Sequence, residues 1–146
     1  MLETRLLRRV IHYIWECYRE PGEIRIRLKN YKADELHVEE RAEELTVVVR
    51  YFVKQPTGEL MKQMEIVCFI LRHGEWIPLE LGKGESHEVY GTANAETGYP
   101  VILDVERQLG AALFCDAWAL RFLEEGFLAS AAKHYPLRSK LAQRPH

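Results

Sequence analysis

Between residues 45 and 81 apolar side chains recur at every second position in three successive runs, and no other stretch constrains the fold as tightly. A period of two sends alternate side chains to opposite faces of an extended strand. The runs cover 45–54, 64–71 and 75–81, separated by Pro56-Thr57-Gly58-Glu59 and by His73-Gly74. A two-residue turn at His73-Gly74, with glycine supplying the positive φ of a primed turn, sets Ile70 opposite Ile77, Cys68 opposite Leu79 and Ile66 opposite Leu81. A four-residue loop at 56–59 sets Tyr51, Val49, Val47 and Leu45 opposite Met64, Ile66, Cys68 and Ile70. One face is then apolar throughout, and a slip by one residue would break the match. The same register sends Val48, Phe52, Val67, Phe69, Leu71 and Trp76 to the second face, with Arg50 opposite Glu65. So apolar a face requires a cover, and a two-fold contact in a homodimer or larger homo-oligomer supplies one.

The flanking segments add helices and shorter strands. Residues 4–20 carry Leu7, Val10, Ile11, Ile14 and Trp15 at helical spacing over more than half the circumference, with Pro21-Gly22 as the stop. In 23–29, Ile24, Ile26 and Leu28 alternate with Arg25, Arg27 and Lys29, the pattern of a half-buried strand whose basic row blunts a sheet edge. The acidic residues at 39–44 lie close enough to answer that row, and Leu36-His37-Val38 reads as another short strand. Asp104 suits the N-cap of a long helix running to about residue 125, where Gly126 ends or bends it before a further turn over 127–133. The expected fold class is α+β: an antiparallel meander of about five strands packed with an N-terminal helix and a long C-terminal helix, in one domain over 1–146.

Composition narrows the function classes. With 47% apolar and 29% charged residues in 146, one substantial core is affordable. The longest apolar stretch, 109–123, is interrupted by Asp116 and Arg121, so no membrane span is expected, and the first residues lack the order of a signal peptide. Three cysteines at 17, 68 and 115 sit inside apolar patterns and read as buried thiols of a reducing, cytoplasmic setting. No Cys/His spacing suggests a metal, and no motif implies a cofactor; Gly82-Lys83-Gly84-Glu85-Ser86 lacks the phosphate-loop spacing. Basic residues gather at the two ends around an acidic middle that would repel phosphate, which argues against a nucleic-acid partner.

Two residues are candidates for chemistry. On a helical wheel Asp116 falls at the centre of the face made by Val105, Leu109, Ala112, Leu113, Leu120 and Leu123, where a carboxylate must find a partner or a task. It is either an acid/base group or ligand anchor in a pocket between sheet and C-terminal helix, or a core acceptor satisfied by a hydroxyl, an indole, a backbone amide or an arginine. His87 lies in Ser86-His87-Glu88, whose neighbours point to opposite sides of an extended chain and cannot form a triad by themselves. The loop at 91–100 could cover a ligand. The leading expectation is a non-enzymatic assembly or interaction domain. The alternatives are a small-molecule binding domain anchored by Asp116, and a small enzyme using Asp116 with His87.

Overall fold

A computed structural model describes residues 3–18 and 22–127. In chain order they form α1 (Arg5–Tyr18), β1 (Arg25–Lys29), β2 (Glu35–Arg41), a 3-10 turn (Ala42–Glu44), β3 (Thr46–Lys54), β4 (Leu60–Ile70), β5 (Trp76–Lys83), β6 (Ser86–Val89), β7 (Gly91–Thr92), β8 (Val101–Ile102) and α2 (Val105–Glu124). Strands β1 to β6 make one antiparallel sheet in sequence order, and β7 pairs β8 in a separate ribbon. The α+β meander expected from the alternation is present, with β6 as an additional edge strand that its single apolar residue, Val89, did not announce. Of the expected stop at Pro21-Gly22 only Gly22, at φ +85°, lies among the described residues, and of the further turn over 127–133 only Phe127 does. Among the described residues no helix is long and apolar enough to cross a membrane.

Both helices pack on the same face of the sheet. Leu7, Ile11 and Ile14 of α1 and Cys115, Ala119 and Phe122 of α2 join Leu36, Val49, Ile66 and Cys68 of the strands in one buried cluster. The C-terminal end of α2 is tied to the β1–β2 turn by Asn30, whose Nδ2 donates to the Glu125 carbonyl at 2.8 Å while its Oδ1 accepts from the Lys32 and Asp34 amides at 2.9 Å. Gly126 follows with φ +86°, the left-handed conformation that closes a helix, so the glycine stop falls where the sequence places it.

The register departs from expectation beside each turn. Leu71 donates its amide to Glu75 O and accepts from the Gly74 amide, both at 2.8 Å. The loop is therefore the three residues Arg72-His73-Gly74, a turn closed by a glycine at φ +90°, in place of a two-residue turn. Ile70 consequently opposes Trp76 and Cys68 opposes Pro78, until a bulge restores Val67 opposite Glu80 and Ile66 opposite Leu81. The first hairpin behaves the same way. Gln55 pairs with Glu59 around Pro56-Thr57-Gly58, and an irregularity after Tyr51 restores the expected pairs from Tyr51–Met64 to Val47–Cys68. Trp76 thus belongs to the main core and not to the second face, while Ile77 and Leu79 join Phe69 in a small cluster on that second face. Leu45, at φ +55°, also leaves the core face and packs on this cluster with Leu71 and Ile102.

Around that cluster the second face is laced with ion pairs rather than left bare. Glu39 lies 2.8 Å from Arg25 and 2.6 Å from Arg41, Glu35 3.4 Å from Arg27, and Glu65 2.6 Å from Arg50. Val48 and Phe69 are already fully buried in the single chain, so of the six residues expected at an oligomer contact only Phe52, Val67 and Leu71 keep partial exposure on this face.

The ion pairs set an acid sensitivity. The hydrogen bond from Arg41 holds Glu39 below the usual carboxylate range. At Glu65 burial acts upward, but the hydrogen bond and charge of Arg50, with Lys62, outweigh it, and the net shift is downward. A depressed folded pKa gives stability that is complete above the unfolded value, 4.5 for Glu65, and lost as pH falls through the folded value. The difference in melting temperature between wild type and Glu65→Gln should therefore shrink as pH falls from about 7 to about 3. A difference constant across that range would contradict the pairing.

Candidate functional site

Asp116 is satisfied by a backbone amide of the other helix. Its Oδ1 accepts from Leu7 N at 2.9 Å, and Leu7 lies in the first turn of α1, where amides have no partner within the helix. The carboxylate acts as an N-cap supplied across the helix pair, with its negative charge at the positive end of the α1 dipole. The same end of α1 is fixed to β5, because Thr4 donates both its amide (2.9 Å) and its hydroxyl (3.2 Å) to Trp76 O. Asp116 is half-buried rather than central to the inward face.

His87 stands on the opposite side of the sheet. It pairs with Gly82, shares the face of Glu65, and holds Glu80 at 2.9 Å through Nε2. The sheet separates His87 from Asp116, so the two do not form one acid/base pair. Cys68 and Cys115 are buried; burial pushes the Cys68 thiol up to about 12 and the Cys115 thiol well above its ordinary value, which leaves both as poor nucleophiles. Among the described residues no group of three His, Cys, Asp or Glu side chains could hold a metal ion.

The inward face of α2 is a different one from that expected. Gln108, Ala111, Ala112, Cys115, Ala119 and Phe122 are buried, so the helix is turned by about 100°, one residue's worth, from the phase that the leucines suggest. Its small side chains let it lie close to α1 and the sheet, and Val105, Leu109, Leu113 and Leu120 are left outside, Leu113 66% exposed and Leu120 51%. Gly110 and Ala117 are exposed beside them, and a Cβ on Gly110 would meet nothing within 4 Å. Leu103, two residues before the helix, is exposed as well.

Two of the depressions among the described residues lie between a helix and the sheet. The one between α2 and the β5–β6 edge, about 260 Å³, is where a pocket between sheet and C-terminal helix would be, but its polar groups answer one another. Tyr90 donates to Glu88 at 2.5 Å, Arg107 lies 3.3 Å from Glu88, and Lys83 stands 3.8 Å over the Phe114 ring. The other, about 350 Å³, opens between α1 and the sheet. Val38, Val47, Ile70 and Ile11 give it an apolar base, Trp15 and Trp76 are among its walls, and His12, Glu16 and Glu40 supply its polar atoms. His12 meets Trp76 edge to face at 5.4 Å. Burial first and Arg8 second lower the His12 pKa, against the opposing pull of Glu16 and Glu40, which favours the neutral imidazole. Asp116 lines neither depression. The sequence did carry a signal for this cleft: Glu40 continues the inward register of Leu36 and Val38, where an apolar residue would be expected.

Comparison with known proteins finds no matching family model, no matching curated protein and no matching solved structure.

Proposed function

We propose that this protein is a non-enzymatic interaction domain that pairs with a second copy of itself through the outward face of α2. The exposed stripe Val105, Leu109, Leu113 and Leu120 carries the reading. These residues recur at the spacing of one helix face, beside a buried face, about 100° away, that is already used for folding. Contiguous exposed apolar side chains on one helix face are a feature of interaction sites.

The features of the stripe favour a second copy as its occupant. Leu113 lies at its middle, with Gly110 and Ala117 on one flank, small enough to admit a second helix closely. In an antiparallel pair centred on Leu113, Glu106 comes beside Arg121 of the partner subunit, and the two-fold axis makes that pairing twice. The second sheet face, with its ion pairs already made within one chain, offers less apolar surface for the same purpose. Three free, buried thiols suit a reducing compartment such as the cytoplasm.

Light scattering after size exclusion tests the reading. The wild type should elute with twice the 17.1 kDa chain mass at micromolar concentration, and Leu113→Glu, which changes an exposed side chain, should yield a folded monomer. A wild-type monomer, or a dimer unaffected by Leu113→Glu, would overturn it.

A further inference from the structure

We propose that the cleft between α1 and the sheet binds a small organic amine, its ammonium group held by Glu16 and Glu40 and its apolar body resting on Val38, Val47 and Ile70. The site is independent of the α2 surface and needs no second subunit.

Charge accounting singles out this cleft. Of the carboxylates on the six strands, Glu35, Glu39, Glu65 and Glu88 each have an arginine within 4 Å, and Glu80 has the imidazole of His87. Glu40, half-buried on the core face, has no ion pair among the described residues, and neither has Glu16 across the cleft on α1. Among the described residues no lysine or arginine lines the cleft; Arg8, whose charge reaches His12, is engaged with Glu3 at 3.5 Å. Two carboxylates with no ion pair among the described residues therefore border an apolar, partly enclosed space, where Coulomb attraction is less screened than in open water.

The chemistry of the walls narrows the occupant. A bare metal ion is a poor fit, because His12, Glu16 and Glu40 do not converge as a metal-binding group. An anion would meet both carboxylates. A neutral apolar molecule would leave them unanswered. An ammonium group on a short hydrocarbon satisfies the charge and the base together, and the indoles of Trp15 and Trp76 add the electron-rich surface that alkylammonium ions favour. A neutral His12 adds no competing positive charge. A volume of about 350 Å³ falls at the lower end of ligand pockets and has room for a short branched alkylamine.

The test uses three probes of one shape and different charge: 3-methylbutylamine, 3-methylbutan-1-ol and 3-methylbutanoate. Amide resonances are followed by heteronuclear NMR in the full chain near neutral pH. The amine should produce saturable shifts at Gly74 and Glu40, the alcohol should bind at least about fivefold more weakly, and the acid should not bind. Glu40→Gln and Glu16→Gln should each weaken the amine by about fivefold or more; Glu16 is exposed, so its variant remains a usable test if the other fails to fold. Equal binding of amine and alcohol, amine binding indifferent to Glu16→Gln, or no saturable shift up to about 50 mM amine would overturn the proposal.

Discussion

Trp76→Ala is expected to lower the unfolding free energy by about 3–5 kcal/mol, the range for deleting a large aromatic side chain from a packed core. Trp76 is 3% exposed, opposes Ile70 in the sheet and stands edge-on to His12 of α1, so its loss would leave a void where the helix meets β5. The result also decides the register, because a Trp76 on the outer face would be lost at much smaller cost. Denaturant unfolding of wild type and variant measures it. A loss under about 1 kcal/mol would place Trp76 outside the core and refute the three-residue turn at Arg72-His73-Gly74.

Asp116→Ala should cost about 1–2 kcal/mol, the usual value for removing an N-cap acceptor. Its mechanism is specific, since the Leu7 amide loses the Asp116 acceptor, and hydrogen exchange at Leu7 should accelerate. Asp116→Asn retains an acceptor oxygen without the charge and should cost a fraction of the alanine value. A role in chemistry or ligand anchoring predicts the reverse, with stability unchanged or raised on removal of the carboxylate. Unaltered exchange at Leu7 in the alanine variant would remove the capping role.

The alternation at 45–81 made the sheet, its antiparallel order and the inner pairs of β3 and β4 legible, because burial of one face tolerates only one register. What it missed lies between each turn and the next irregularity. Gly58 and Gly74 both close three-residue loops, displacing the pairing by one until a bulge takes up the extra residue. Pro78 was the available sign, since a proline inside an inner strand favours a bulge, and the shift beside Cys68–Pro78 is where the register recovers. On α2 the wheel ranked residues by hydropathy, whereas packing selected by size. Ala111, Ala112, Cys115 and Ala119 fit against α1 and the sheet, and the leucines did not need to. That single rotation moved Asp116 from the middle of the buried face to its margin, within reach of α1, and turned the leucine stripe outward. The partner of Asp116 was not legible, because Leu7 lies 109 residues away in sequence and the pairing depends on how the two helices meet.

The self-association of α2 is most directly tested by a cysteine on the proposed axis. The native thiols are buried, so Leu113→Cys supplies a readily accessible thiol among the described residues. At the centre of an antiparallel pair two such residues fall within the roughly 4.4–6.8 Å Cα separation that a disulfide spans. Under mild oxidation Leu113→Cys should convert to a covalent dimer of the folded protein well before Glu85→Cys, an exposed control on the β5–β6 turn. Cross-linking of the two variants at equal rates would contradict the pairing of α2 with itself.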